Sequence, residues 1–150
     1  MPSSSEPPLS ELLCFDLYAA SRAMTAVYRP LLTELGLTYP QYLVLHLLGE
    51  GEPRSIKQVS TALRLDHGTL TPLLRRLESR GLLTRRRRRE DERVVEVALT
   101  AAGVSLQRRF ADLRCRVLAE VGLDAEQARA LQRTLRTLTE TALDDRPRAG

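Results

Sequence analysis

The chain has 150 residues, 43% of them hydrophobic, with two cysteines, two histidines, no tryptophan and a net charge of +4. Its two cysteines, Cys14 and Cys115, make no disulfide framework, and no CxxC or His/Cys metal spacing occurs. The opening Met-Pro-Ser-Ser-Ser-Glu-Pro-Pro resembles no secretory signal, and no apolar run approaches the roughly 20 residues needed to cross a bilayer, so a cytoplasmic protein with no membrane partner is expected.

Residues 1–9 read as a disordered tail. Ser10 is a candidate N-cap for a helix through Leu13, Leu17, Tyr18, Met24 and Val27 to about Tyr28. Pro30 should bend or break it, with Leu31, Leu32 and Leu35 leading on to Gly36. Thr38-Tyr-Pro40 opens the next helix, whose apolar residues from Tyr42 to Leu48 reach the loop Gly49–Pro53. Ser55 and Gln58 fit a capping box ahead of a short amphipathic helix with Ile56, Val59, Ala62 and Leu63. Asp66 can cap the following helix, with Leu70, Leu73, Leu74 and Leu77 on one stripe and Thr69, Thr71, Arg75, Arg76 and Ser79 facing out. Pro72 predicts a late start or a kink there.

Period-two alternation then marks paired strands over Leu82–Thr84 and Val94–Leu99, with Arg85–Arg93 as a hairpin tip. Thr100 caps a long helix running to Val121, Gly122 ends it, and Asp124 with Gln127 opens a last helix through Leu143. Residues 145–150 read as a second disordered tail. The predicted fold is mainly α with a small β-hairpin wing: a winged helix-turn-helix over 37–99, flanked by helices at 10–36 and 100–144. The apolar stripes of those flanking helices need burial, which a homodimer built from the two chain ends would supply.

Charge is placed unevenly. From Arg75 to Arg93 nine arginines face four acids, a balance of +5, so the other 131 residues sum to −1. Such a concentration on elements shaped to enter a groove points to double-stranded DNA. The second helix of a helix-turn-helix places its N-terminal residues at base edges. Candidate DNA contacts are therefore Asp66, His67, Thr69, Thr71, Arg75 and Arg76 on that helix, with Arg88, Arg89 and Arg93 of the wing near phosphates or the minor groove. The strings Leu65-Asp-His-Gly-Thr-Leu-Thr-Pro-Leu-Leu-Arg-Arg-Leu-Glu78, Gly81-Leu-Leu-Thr-Arg85, Glu90-Asp-Glu-Arg93 and Leu99-Thr-Ala-Ala-Gly103 resemble the MarR family of winged-helix repressors. That resemblance implies that Asp91 and Arg93 shape the wing tip, with Arg93 probing the minor groove.

Cys14 lies early in the first helix, where free backbone N–H groups and the macrodipole favour a thiolate while Glu11 and Asp16 oppose it. Taken alone, a cysteine on an apolar helix face is more often a packed small hydrophobe. Tyr28 shares its face but lies roughly 21 Å further along the helix. Only an antiparallel partner helix in a dimer could bring such a tyrosine to the thiol. Leu13-Cys-Phe-Asp-Leu-Tyr-Ala19, Tyr28-Arg-Pro-Leu-Leu32 and Leu37-Thr-Tyr-Pro-Gln-Tyr42 are similar to the organic-hydroperoxide sensors of the MarR family, the OhrR branch.

This second resemblance implies that Cys14 is the peroxide-reactive thiol, that Tyr28 and Tyr39 reach it from the partner subunit, and that Tyr18 is a further contact. It implies a cofactor-free repressor, not an enzyme, that holds an inverted-repeat operator until an organic hydroperoxide oxidises Cys14. The resulting sulfenic acid would be resolved either by Cys115 or by a low-molecular-weight thiol, a choice that the local sequence around Cys115 leaves open. The alternative reading keeps the fold and replaces the oxidant with a non-covalent phenolic ligand.

Overall fold

The computed structural model describes residues 6–144. The chain divides into two units, Met1–Leu113 and Arg114–Gly150. In the first, a 3-10 turn at Leu9–Glu11 leads into α1 (Leu13–Glu34), followed by α2 (Tyr39–Leu48), β1 (Arg54–Ser55), α3 (Ile56–Leu63), α4 (His67–Ser79), β2 (Leu83–Arg87), β3 (Val95–Leu99) and α5 (Ala101–Arg108). Helix α6 (Phe110–Val121) begins in the first unit and ends in the second, which also holds α7 (Ala125–Asp144). Of the expected tails at 1–9 and 145–150, residues 1–5 and 145–150 lie outside the described residues, and Leu9 belongs instead to the 3-10 turn.

Local chemistry sets most of the helix starts. Thr38 and Ser55 each accept from the amide three residues on, and Gln41 and Gln58 reach back to the cap amide, completing two capping boxes. Asp124 and Gln127 exchange the same pair of bonds ahead of α7. Asp66 caps α4 through the Thr69 amide, and Thr100 caps α5 through the Gly103 amide. Helix α1 departs from expectation. Its N-cap is Leu12, with no side-chain cap, because Ser10 is absorbed in the preceding 3-10 turn.

Neither internal proline interrupts its helix or delays its start. Helix α1 runs unbroken through Pro30 to Glu34, and α4 begins at once after Asp66 and carries Pro72 inside it. A proline within a helix costs about 3 kcal/mol, whereas burying a leucine contributes about 1.5–3 kcal/mol. Leu31 and Leu32 beyond Pro30, and Leu73, Leu74 and Leu77 beyond Pro72, are all buried, and their burial offsets that cost.

The predicted long helix after Thr100 is interrupted at Arg109, the C-cap of α5, and Phe110 next to the break is 1% exposed with its ring 4.7 Å from Tyr42. The sheet has three strands rather than two. Antiparallel order β1-β3-β2 pairs Arg54 with Val97 and Leu83 with Leu99, so Arg85–Arg87 belong to a strand and not to the tip. The core of the first unit joins Val44, Leu45, Val59, Leu70, Leu74, Leu77, Leu83 and Val97, each 1% exposed or less. It holds the helix-turn-helix and the wing as one body.

Candidate nucleic-acid interface and thiol site

Helices α3 and α4 form the helix-turn-helix. The turn passes through Arg64 in the left-handed region at φ 54, and the Leu65 amide donates back to the Ser60 carbonyl at 3.1 Å. The apolar stripe Leu70, Leu73, Leu74 and Leu77 is buried, which leaves Thr69, Arg75 and Arg76 exposed and Thr71 half-buried. Asp66 has a structural role. Its carboxylate accepts from both the amide and the hydroxyl of Thr69, at 2.7 and 2.9 Å, and these bonds hold its pKa below the ordinary value. His67, at the first position of α4, is exposed.

The wing tip is closed by Asp91. The Arg93 amide donates to its side chain at 3.0 Å, the Val94 amide donates to its carbonyl at 3.0 Å, and Arg88 N–H reaches the Val94 carbonyl at 2.8 Å. Not all of the wing's charge is available. Arg85 is paired with Glu78 and Arg88 with Glu96, each at 2.7 Å, and the first pair holds Glu78 below its usual pKa. Arg75, Arg76, Arg86, Arg89 and Arg93 are exposed, and among the described residues their side chains make no ion pair. A groove of about 490 Å³ between the start of α3, the start of α4 and the wing is lined by Lys57, Gln58, His67, Arg88, Arg93 and Val95 among others. Lys57 and the β1 edge were missed in the sequence, because two residues of strand carry no readable alternation.

The wing is fixed to the helices by the Thr100–Gly103 corner. The Thr100 hydroxyl donates to the Gly81 carbonyl at 2.6 Å and its amide to the Leu82 carbonyl at 3.1 Å. A Cβ on Gly103 would lie 2.1 Å from that same Leu82 oxygen. The Leu-Thr-x-x-Gly string is thus a packing requirement between α5 and the root of the wing.

The redox candidates other than Cys115 are divided between two places. Cys14 is exposed at the second residue of α1, between exposed Leu13 at 63% and Tyr18 at 58%, with the Arg22 guanidinium 5.5 Å from the Tyr18 ring centroid. Only Leu31 and Leu32 of α1 are buried. Tyr28 and Tyr39 come together far from it, with ring centroids 5.2 Å apart, and Tyr42 lies 5.3 Å from Tyr28. Burial, then the proximity of Tyr28, raises the pKa of Tyr39, so its hydroxyl remains a donor.

Sequence reasoning missed that Tyr42, His46 and Phe110 extend this aromatic cluster. Tyr39, Tyr42 and His46 follow helical spacing and could have been found; Phe110 arrives from the far end of the unit. A cavity of about 370 Å³ beside Tyr39 is lined by Thr25, Arg29, Leu32, Thr33, Leu37 and Thr38. Cys115 is exposed on α6. Among the described residues no group of three or more His, Cys, Asp or Glu side chains is placed to hold a metal ion, and no helix is long and apolar enough to cross a membrane.

Residues 26–109 match the family described as transcriptional regulator SarA/Rot. The organic hydroperoxide resistance transcriptional regulator of Bacillus subtilis (strain 168) is 47% identical over 133 residues, covering 89% of this chain and 90% of the relative. Among solved structures, reduced AbfR bound to DNA is 32% identical with a TM-score of 0.69, over 89% of this chain and 94% of that one; AbfR is a protein of Staphylococcus epidermidis. The transcriptional repressor CouR bound to a 23-mer DNA duplex superposes with a TM-score of 0.81 at 28% identity, over 87% of this chain and 94% of that one.

Proposed function

The chain belongs to the MarR family of winged helix-turn-helix transcriptional regulators, and from that premise we propose that it is a cytoplasmic, homodimeric repressor that releases an inverted-repeat operator when an organic hydroperoxide oxidises Cys14. The observation that carries this reading is the separation of an exposed first-turn thiol from a two-tyrosine cluster on the same helix and its neighbour. Fourteen residues of α1 span roughly 21 Å, so Tyr28 and Tyr39 of one protomer would serve Cys14 of the other. The exposed Leu9 in the 3-10 turn, Leu13 and Tyr18 at the start of α1, and Leu131, Leu135 and Leu138 on α7, are the apolar surfaces such a dimer would cover. The name of the Bacillus subtilis relative points to the inducer.

In the proposed step the Cys14 thiolate attacks the distal peroxide oxygen. The O–O bond breaks, the alkoxide leaves and takes a proton to become the alcohol, and the sulfur, oxidised by two electrons, becomes a sulfenic acid. A second thiol then displaces that oxygen as water and forms a disulfide. The second thiol is either Cys115 or a small thiol. Loss of the thiolate removes the acceptor for the Tyr28 and Tyr39 hydroxyls, the dimer helices shift, and two reading heads no longer match half-sites about 34–36 Å apart.

Each head would read with α4, through Thr71, Arg75, Arg76 and the exposed His67. Arg89 and Arg93 would hold the wing on the backbone or in the minor groove, and Asp91 would keep its tip in shape. Asp66 and Thr69, bonded to each other, would position α4, and Arg88 would contribute only after partial release from Glu96. Mass spectrometry of the reduced protein after one equivalent of cumene hydroperoxide and excess small thiol should find Cys14 as a disulfide within the mixing time, with hydrogen peroxide slower. An unmodified Cys14, or equal rates for the two oxidants, would count against the reading. The cavity beside Tyr39 favours the second reading, a phenolic ligand bound without covalent change; it predicts that Cys14→Ser protein still releases DNA on adding the ligand.

A further inference from the structure

The carbonyl end of α1 is finished by a residue 44 positions away from Gly36 in the chain. Gly36 takes φ +65, and the Leu37 and Gly36 amides donate to the Leu32 and Thr33 carbonyls at 2.9 and 3.0 Å, which satisfies two of the helix's terminal acceptors. Two later carbonyls, of Leu35 and Gly36, accept from the two arms of the Arg80 guanidinium, Nη2 at 3.5 Å and Nη1 at 2.5 Å. A Cβ on Gly36 would lie 3.1 Å from Nη2 of Arg80, so the guanidinium rests against bare glycine backbone. Arg80 is also the C-cap of α4, its own amide donating to the Arg76 carbonyl at 3.2 Å. One residue thereby ends the recognition helix with its backbone and α1 with its side chain.

We infer that Arg80 is a positioning residue that seats α4 on the carbonyl end of α1, so that the pose of the reading head depends on the helix that carries Cys14. A cation at a helix C-terminus is favoured by the macrodipole, and a forked donor fits two successive carbonyls better than a single point charge does. Although Arg80 lies within the arginine-rich stretch, this engagement removes it from the set that contacts phosphate. The dependence on Cys14 rests on the thiol switch proposed above; the seating of α4 does not.

The test compares full-length wild type, Arg80→Ala and Arg80→Lys by fluorescence anisotropy on duplex DNA from upstream of the protein's own gene, across a salt series, before and after cumene hydroperoxide. Reduced Arg80→Ala should bind about 2- to 5-fold more weakly with the wild-type salt slope, and its ratio of oxidised to reduced Kd should shrink by a similar factor. Arg80→Lys should fall between, and it decides the question if the alanine variant does not fold. Wild-type affinity in the reduced variants would overturn the seating, as would a salt slope reduced by about one per protomer, the mark of a lost phosphate contact. A wild type that keeps its DNA after oxidation would defeat the thiol switch, while the reduced proteins would still decide whether Arg80 seats α4.

Discussion

Cys14 and Tyr39 have complementary roles under the proposed switch: one supplies an acceptor that oxidation removes, the other a donor that its surroundings keep protonated. A hydrogen bond to a charged group contributes about 1.5–3 kcal/mol. Replacing Tyr39 or Tyr28 by Phe should therefore slow thiolate oxidation by about 10-fold or more, measured by stopped-flow loss of the free thiol; unchanged rates would remove both tyrosines from the site. Asp66 offers a test by pH. Its pKa is depressed in the folded chain by the Thr69 bonds, so its contribution is complete above the ordinary value of 3.8 and is lost as pH falls through the lower folded value. An NMR titration following the Thr69 amide should accordingly show its midpoint below 3.8, and a midpoint at or above it would contradict the capping role. Asp66 was readable in the sequence as a cap and as a base contact; the bond to the Thr69 hydroxyl favours the first.

At the scale of elements, the caps formed by Ser55 with Gln58 and by Asp124 with Gln127 were legible because each depends on residues three apart, while the Thr38–Gln41 box of the same spacing went unread and Ser10 proved not to cap α1. What else escaped depends on residues far apart. Pro30 and Pro72 sit inside helices because leucines beyond them are buried by other elements, and β1 exists only because β3 pairs with it. The Thr100–Gly103 corner gives a prediction of this kind. Gly103→Ala should destabilise the protein by about 1–3 kcal/mol, since the added methyl meets a backbone carbonyl and not a flexible side chain. Gly122→Ala, with φ +69 but nothing within 4 Å of the new carbon, should cost about 1 kcal/mol. Urea midpoints of the two variants check the order, and equal midpoints would show that α5 can move away from the wing.

For the molecule as a whole, the surplus charge was visible as a run of arginines, but its division was not. Glu78 and Glu96 neutralise Arg85 and Arg88 across the fold, and the exposed set that remains lies on α4, β2 and the wing tip. With six to ten phosphate contacts, raising salt from about 50 to 200 mM should weaken binding by about 10³- to 10⁵-fold. Arg89→Ala and Arg93→Ala should each lower the log–log slope by about one per protomer, and Arg88→Ala by less. A salt-insensitive complex would contradict the charge assignment. The proposed thiol site could be read from the sequence only as a motif, because its two halves would belong to different protomers in the proposed dimer.

The central claim is tested most directly by fluorescence anisotropy of the reduced protein on DNA from upstream of its own gene, repeated after one equivalent of an organic hydroperoxide with a small thiol present, and again after dithiothreitol. Binding that is lost on oxidation, restored by the reductant and insensitive to peroxide in Cys14→Ser is the predicted result. Binding that survives oxidation in the wild type would contradict the thiol switch while leaving the winged helix-turn-helix and its DNA-reading surface in place.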